Sequence, residues 1–344
     1  MKSLFDKTFI NKLELKNRVI RSATIENIGG KNGHLSDKVI KLYEDLAKGG
    51  TGLIVTSSMY LTETSQIFPG QFGLYNDELA EEYAEFTSII HKHGSKIFAQ
   101  FDHTCFNGKI VGPNDLTVDD IKLMVTAFGD AAARAKKAGF DGVQIHSAHG
   151  GLFSQFLIPH FNNRNDVYGG SIRNRARIIF EAYQSIRDNV GSDYPIAIKI
   201  NSEDCLEDGM SFEECKEVCK ELEKLGIDAI EISGGTNSSG PNKSFARKIS
   251  KNDIPYFKTY AEEMAKTLDI PVILVGGNRD FNIMTNILNE TSIEYFSISR
   301  PLLCESDLIN RWQEGNLEPV KCVSCNKCLE AIGSGSEGIC IFNR

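Results

Sequence analysis

Short apolar segments alternate with longer amphipathic segments along most of the chain. Eight segments of four to six residues are almost entirely apolar, as expected for strands that are buried on both faces of a sheet. They cover residues 19–23, 53–57, 96–101, 142–146, 196–200, 229–233, 272–275 and 295–299. Apolar residues recur at helical spacing over residues 37–48, 77–93, 121–138, 172–189, 211–224 and 256–267.

This alternation predicts eight strand-plus-helix units and therefore a parallel (β/α)8 barrel of the TIM type. A doubly wound open sheet is the alternative, but the first strand is not followed by the glycine-rich turn that such sheets use for dinucleotides. Residues 333–338 match G-x-G-x-x-G, yet they follow no predicted strand and are interpreted as a flexible spacer. We expect the barrel to occupy residues 1–315 and a cysteine-containing tail to occupy residues 316–344.

The charge and cysteine content of the chain argue against several classes of protein. The 344 residues carry a net charge of −8 with both signs interspersed, which argues against nucleic-acid or membrane-surface partners. The first residues lack the apolar core of a signal peptide, so a soluble, cytoplasmic protein is expected. Of nine cysteines, four crowd the last 23 residues, which favours reduced thiols with one local cysteine site over a disulfide framework. Association into a homo-oligomer is left open.

Two histidines, His146 and His149, stand at the carboxyl end of the fourth predicted strand, where a barrel of this type carries its active site. The loop that follows is long and ends in YGGS at residues 168–171, a turn that also begins the next predicted helix. Such a pair also occurs in metal sites, but no carboxylate or third ligand stands at helical spacing from the two. A substrate-binding role is therefore favoured over a metal site or an ordinary core histidine.

The last two predicted strands end in residues suited to a phosphate. Gly276 and Gly277 follow the seventh strand, and Ser299 and Arg300 end the eighth. The loops after these strands form the usual phosphate site of the fold, because glycines let backbone N–H groups approach and an arginine adds charge-assisted hydrogen bonds. The spacing predicts a phosphorylated cofactor.

Residues 141–171 resemble the signature of the old yellow enzyme family of FMN-dependent ene-reductases. Beyond the histidine pair and the YGGS turn, the matching residues are Asn163, Arg164, Asp166, Asn174 and Arg175. Similar motifs run over residues 15 to about 303, which is nearly the whole predicted barrel. The resemblance implies a bound FMN, with His146 and His149 receiving the carbonyl or other electron-withdrawing group of a substrate beside the flavin.

Two polar residues of the predicted strands are assigned to the flavin ring. The amide of Gln100 offers the donor and the acceptor that a pyrimidine edge requires, and it matches the family's flavin-binding glutamine; an exposed loop amide is the alternative. The ammonium of Lys199, in an otherwise apolar strand, needs an anionic or polar partner. A reduced flavin is such a partner, and an internal salt bridge with Glu231 is the alternative.

The remaining flavin contacts are implied by the resemblance alone. Ser22, Ala23 and Thr24 form the strand end that lies against the flavin in the family, and the backbone of Ser57 is assigned to the isoalloxazine edge. A plain turn explains these small residues equally well. His103, close to Gln100 in the chain, is expected to be solvated or to act through another group.

Two positions depart from the family pattern. Ile25 stands where many relatives place a Cys or Thr that hydrogen-bonds the flavin, so no tuning of the flavin from this position is expected. Gly151 stands where many relatives carry a tyrosine that protonates the substrate. Because glycine has no side chain to donate a proton, we expect water or another residue to do so.

The expected function is reduction of an activated C=C bond in a small molecule, with FMN as cofactor and NAD(P)H as reductant. Dehydrogenation of amines or hydroxy acids by the same cofactor is one alternative, and an electron-transfer flavoprotein that works with a partner is another. The sequence distinguishes neither the alkene nor NADH from NADPH.

The tail carries Cys322, Cys325, Cys328 and Cys340 in a C-x2-C-x2-C-x11-C arrangement. Four such thiols suit a [4Fe–4S] cluster or a tetrahedral Zn site, and the cluster is favoured narrowly. The arrangement resembles the cluster segment of the dienoyl-CoA reductase branch of the family, with the second gap one residue shorter. The chain stops soon afterwards, so the FAD domain of that branch is not expected. A disulfide or a set of unliganded thiols is the alternative.

Overall fold

Eight parallel strands close into a barrel in the computed structural model, which describes residues 1–240, 242–250 and 253–343. Each strand pairs with its neighbours in chain order, and the first pairs with both the second and the eighth. The strands are Val19–Arg21, Leu53–Tyr60, Lys96–Phe101, Gly142–Ser147, Ile196–Asn201, Ala229–Ser233, Val272–Leu274 and Tyr295–Ile298. The predicted (β/α)8 barrel is confirmed, and the strand ends differ from the predicted ones by three residues at most.

Helices surround the barrel and cover its outer face. They are Asp37–Lys48, Asp77–His91, Val118–Lys137, Leu152–Leu157, Ile172–Arg175, Arg177–Val190, Phe212–Leu225, Lys258–Thr267, Phe281–Glu290, Arg300–Cys304, Leu308–Gln313 and Lys327–Gly333. Several begin where a polar side chain accepts a hydrogen bond from the first helical turn, which satisfies an otherwise unpaired N–H group. These caps are Ser36, Asn76, Thr117, Ser211 and Asp280. Among the described residues, no helix is both long and apolar enough to cross a membrane.

The sequence predicts that five glycines, Gly49, Gly94, Gly139, Gly191 and Gly226, end helices in the left-handed conformation. The last four do have positive φ. Gly49 instead has a φ of −71°. Its N–H group still bonds to the Asp45 carbonyl at 2.8 Å, so the helical path continues through it and the next residue, Gly50, adopts the positive φ of 94°.

The inside of the barrel is apolar at its amino-terminal end. A buried cluster contains Ile20, Leu53, Val55, Phe98, Ala197, Ala229, Ile273 and Tyr295 from seven of the strands. A hairpin of Thr8–Ile10 and Leu13–Leu15 closes this end, and its Ile10 and Leu15 belong to the same cluster. A second and larger core fills the space between barrel and helices.

The other end of the barrel interior is polar. Side chains alternate along a strand, so the residues two positions after Phe98, Ala197 and Ala229 point inward as well. These are Gln100, Lys199 and Glu231, and all three are buried. The carboxyl ends of the strands therefore enclose a polar layer, which is where the fold places its functional residues.

The tail packs against the barrel. Gly338 donates its N–H to the Glu26 carbonyl at 2.7 Å, and the Asn27 side chain donates to the carbonyls of Gly335 and Ser336, both at 3.2 Å. Residues 333–338, interpreted from the sequence as a flexible spacer, thus form three hydrogen bonds with the loop after the first strand.

Candidate active site

A cavity of about 370 Å³ opens at the carboxyl ends of the strands. This volume lies within the range of small-molecule and cofactor sites. The predicted site residues that line it are Ser22, Ala23, Thr24, Gln100, His146, His149, Lys199, Gly276, Gly277, Ser299 and Arg300. Ser324, Cys328, Leu329 and Ile332 of the tail form part of its wall. The barrel and the tail together therefore enclose one site.

Ser57 does not line this cavity, whereas Ser58 does. The backbone N–H of Ser57 donates to the hydroxyl of Tyr43 at 2.8 Å. The register of the second strand shifts between Val55 and Ser58, and Ser58 thereby comes to lie opposite Gln100. This irregularity changes which of two adjacent serines faces the cavity, and no local sequence signal reveals it.

One buried carboxylate organises the polar layer. Glu231 lies 3.3 Å from the ammonium of Lys199 and accepts a hydrogen bond from Ser22 at 3.0 Å. It also accepts from Gln144 at 2.7 Å, and Gln144 in turn accepts from the Gln100 amide at 2.7 Å. The two residues predicted to meet the flavin ring are thus held by a single anion. The salt bridge that was an alternative role for Lys199 is present, and Lys199 still reaches the cavity wall.

The two histidines are close together and uncharged at neutral pH. Their ring centroids are 5.5 Å apart. Burial, and then the charge of Lys199, lowers the pKa of His146 to about 3. Burial, His146 and Lys199 hold the pKa of His149 well below its usual range. Two neutral imidazoles therefore face the cavity, each able to donate one N–H hydrogen bond.

His149 is held in an unusual backbone conformation. Its φ is 62°, in the left-handed region that residues with a side chain seldom adopt. The Asn201 side chain accepts its backbone N–H at 3.2 Å, the Ser233 hydroxyl lies 2.6 Å from its Nε2, and the Phe245 ring stacks on it with centroids 4.2 Å apart. Strain of this kind persists where surrounding contacts impose it, often at functional sites.

Gly276 and Gly277 have φ values of 95° and 97° after the seventh strand. A Cβ on Gly276 would come within 2.6 Å of the Tyr256 and Phe257 rings. Arg300 is not free at this end of the cavity, because its guanidinium donates to the Asn326 side chain and to the Arg247 carbonyl. The predicted phosphate site is thus also the place where the tail is anchored.

Several buried polar atoms on the cavity wall lack a partner in the described protein. They include Nδ1 of His146, the hydroxyl of Ser297 and Oδ1 of Asn278. A buried polar group without a hydrogen bond costs about 1–3 kcal/mol, so such groups mark places where a polar ligand or water completes the structure. The donors and acceptors present fit a polar cofactor such as FMN.

The tail cysteines lie near one another. Cys322, Cys325, Cys328 and Cys340 line a space of about 10 Å³, and a fifth cysteine, Cys304, contacts Cys322 and Cys340. Burial raises the pKa of Cys322 and Cys328, which favours neutral thiols. Within the described ranges, no group of three or more His, Cys, Asp or Glu side chains is arranged to hold a metal ion. The predicted ligands are thus brought together without forming a metal site in this arrangement.

Three residues near the site were missed or misjudged from the sequence. Asp102 lines the cavity. It could have been predicted from the sequence, because it stands two residues after Gln100 and side chains at this spacing point to the same side of a strand. Cys304 gave no signal, because only tertiary packing brings it to the tail. Of the two roles expected for His103, solvation is wrong: it is 1% exposed, and Phe106 and Phe128 pack against it edge to face. Its action through another group stays a prediction.

Residues 3–115 and 106–318 match the family model described as the NADH:flavin oxidoreductase / NADH oxidase family. The chain belongs to this family. The resemblance inferred from the histidine pair and the YGGS turn is thereby confirmed.

Individual relatives agree with this membership. The chain is 30% identical to the NADH oxidase of Thermoanaerobacter brockii in an alignment of 348 positions that covers 94% of this chain and 53% of that protein. It is 30% identical to the cinnamate reductase of Clostridium sporogenes in an alignment of 390 positions that covers 99% of this chain and 57% of that protein. It superposes on a 2-naphthoyl-CoA reductase bound to 2-naphthoyl-CoA with a TM-score of 0.92 and 26% identity, covering 99% of this chain and 57% of that chain. The chain spans about half the length of these two relatives.

Proposed function

We propose that this protein is an FMN-dependent enzyme that uses NAD(P)H to reduce a C=C bond conjugated to a carbonyl group. The observation that carries this proposal is the pair of neutral imidazoles, His146 and His149, on the wall of the cavity that Gln100 and Lys199 also line. Neutral donors strengthen their hydrogen bonds as negative charge develops on a substrate oxygen, which lowers the barrier to reduction.

The cavity residues suit FMN in chemical terms. FMN supplies hydride-transfer chemistry when it is bound. The Gln100 amide already donates to Gln144, so its oxygen is left to accept from a ring N–H. Lys199 would lie beside the electron-rich part of the ring, and Ser299 and Arg300 beside the phosphate. Ser22, Ala23 and Thr24 would form the strand end beneath the ring.

The first experiment identifies the cofactor. Acid should release FMN from the purified protein, and release of FAD or of no flavin after reconstitution would contradict the proposal. Arg300→Ala should weaken FMN binding by the loss of charge-assisted bonds worth about 1.5–3 kcal/mol each. Because Arg300 also holds Asn326, the matched control is Asn326→Ala, which removes this contact but keeps the guanidinium. Flavin fluorescence during titration of apoprotein gives both affinities.

The second experiment separates the two half-reactions by stopped flow. His146→Ala and His149→Ala should slow oxidation of the reduced enzyme by an enone, such as cyclohex-2-enone, far more than reduction by NAD(P)H. The exposed His160, outside the cavity, supplies the control variant His160→Ala. Wild-type rates of enone reduction in both cavity variants would remove the pair from the mechanism.

The substrate class is proposed from the relatives. Two of them are named for cinnamate and for 2-naphthoyl-CoA, which are an unsaturated acid and an aromatic thioester, and these names support a conjugated carboxylic acid or thioester as substrate. A partner other than this small molecule is not proposed. The cytoplasmic location expected from the sequence stays a prediction, for which cell fractionation is the test.

We also propose that the tail cysteines bind a metal in the folded, loaded protein, with a [4Fe–4S] cluster favoured over Zn. The shared space lined by Cys322, Cys325, Cys328 and Cys340 supports this, although their present arrangement does not complete a site. Elemental analysis of anaerobically purified protein decides among the alternatives. About four Fe and four sulfide per chain indicate a cluster, and one Zn indicates a structural site. Protein that contains neither metal refutes the proposal.

A further inference from the structure

Asp102 is a carboxyl group on the wall of the active-site cavity. Of the described residues that line this cavity, it is the only Asp or Glu. It is 8% exposed, so most of the group is buried and what remains accessible borders the cavity. A buried carboxyl group is unusual unless it is paired with a cation or has a catalytic role, because burial of its charged form costs free energy.

Its position follows from the register of the barrel. The third and fourth strands pair with Gln100 opposite Gln144 and Phe101 opposite Ile145. Asp102 directly follows this pairing, and its N–H bonds to the Met59 carbonyl at 3.1 Å. Because side chains alternate, Asp102 and His146 follow the two glutamines on the inner side. Asp102 and His146 thus line the same cavity at the carboxyl ends of neighbouring strands.

One hydroxyl orients the carboxyl group. Thr104 donates to Oδ1 of Asp102 at 2.8 Å and accepts the backbone N–H of Leu152 at 3.1 Å. Leu152 begins the helix that follows Gly151, on the loop that carries His149. The chain therefore ties Asp102 to the segment where a proton donor is absent, since Gly151 has no side chain to supply one.

Within the described structure, the groups that affect the pKa of Asp102 include no cation that would stabilise its charged form. Burial raises the pKa of Asp102, and hydrogen bonds from Thr104 and the nearby backbone only partly oppose this. His146, its neighbour on the adjacent strand, is neutral because burial lowers the pKa of that imidazole to about 3. These surroundings favour the protonated carboxyl form.

We propose that Asp102 is the general acid that protonates the substrate during alkene reduction, an inference that rests on the proposed function. The hydride brings two electrons and forms a C–H bond at one alkene carbon, while the π electrons move toward the activating carbonyl held by His146 and His149. The neighbouring carbon then takes the proton of the Asp102 carboxyl group. The resulting carboxylate is reprotonated from water before the next turnover.

The test uses the FMN-loaded enzyme with cyclohex-2-enone as the alkene. Asp102→Asn keeps the shape of the side chain but removes the proton, and it should slow enone reduction by about 10²- to 10⁴-fold while flavin reduction by NAD(P)H stays at the wild-type rate. Asp102→Glu should restore part of the rate. Asp119→Asn, on an exposed side chain outside the cavity, is the control and should behave as wild type.

An infrared readout is independent of turnover. The wild-type protein at pH 7 should show a carboxylic-acid C=O band that is lost in Asp102→Asn. Identical spectra for the two proteins, or a wild-type rate of enone reduction in Asp102→Asn, would overturn the role of Asp102 alone. A wild-type enzyme that accepts electrons from NAD(P)H but reduces no activated alkene would overturn both this role and the proposed function.

Discussion

The two ends of the barrel interior differ in polarity. The amino-terminal end is filled by apolar side chains such as Phe98 and closed by the hairpin that contains Ile10 and Leu15. The carboxyl end is filled by Gln100, Lys199 and other polar groups, and the tail closes a cavity above them. The apolar end needs only matching volume, whereas each buried polar group needs its own partner. The difference shows how one barrel holds both a packed apolar core and a polar cavity.

The largest expected effect comes from emptying the apolar end. Phe98→Ala removes a ring that is 1% exposed and should lower the free energy of unfolding by about 3–5 kcal/mol. FMN affinity of the folded fraction should stay near the wild-type value. Denaturant unfolding monitors the first quantity and flavin titration the second. The matched control is Phe9→Ala, at a ring that is 55% exposed. A large loss of FMN affinity in Phe98→Ala would mean that the two ends are not independent.

Removal of the Glu231 charge at the polar end should lower the free energy of unfolding by a similar amount, but it should also change the properties of the bound flavin. Glu231→Gln leaves Lys199 buried without its counter-charge, which costs about 3 kcal/mol or more. It should also raise the flavin reduction potential, because the uncompensated ammonium favours an anionic reduced ring. The double variant Glu231→Gln with Lys199→Met should recover stability and lose the potential shift. An unchanged potential in the single variant would contradict the assignment of Lys199.

Acid should weaken the fold through histidines near the polar end. Burial lowers the pKa of His103 to about 4, from an ordinary value of 6.5. Between these values the unfolded chain takes up a proton that the folded protein does not, so stability falls as the pH drops from about 6.5 toward 4. His103→Leu should remove about 3 kcal/mol of this loss at pH 4. Denaturant titrations at pH 7 and pH 4 measure it, and equal losses in both proteins would contradict it.

The smallest expected effect is at Gly151. Its φ of −60° suits any residue, but an added Cβ would lie 3.2 Å from Cδ2 of His146. Because of this contact, Gly151→Tyr should alter which enones are accepted. It should change the rate of enone reduction by less than about tenfold, since Asp102 already supplies a proton. Gly151→Ala separates the contact with His146 from the effect of the phenol. A gain of several hundredfold for Gly151→Tyr would show that proton supply limits the native enzyme.

The barrel was predictable because burial on both faces leaves an apolar run in each strand. Residues of the cavity wall were predictable where chemistry and position coincide, as for Lys199 in an apolar strand and the glycines after the seventh strand. The register shift that brings Ser58 rather than Ser57 to the cavity was not predictable, because register depends on the partner strand. The contact of Cys304 with the tail likewise arises from packing between segments distant in the chain.

Closure of the barrel has a consequence for synthesis. The first strand pairs with the eighth, so Val19 finds Phe296 only after nearly the whole barrel has left the ribosome. Until then the incomplete sheet has two unpaired edges, one of them on the first strand, and these edges invite contact with other chains. Contacts so distant in sequence also slow folding, because a long loop must be ordered before they form. We expect nascent chains that end before the eighth strand to depend on chaperones, and completed chains to be released from them when the two edges join.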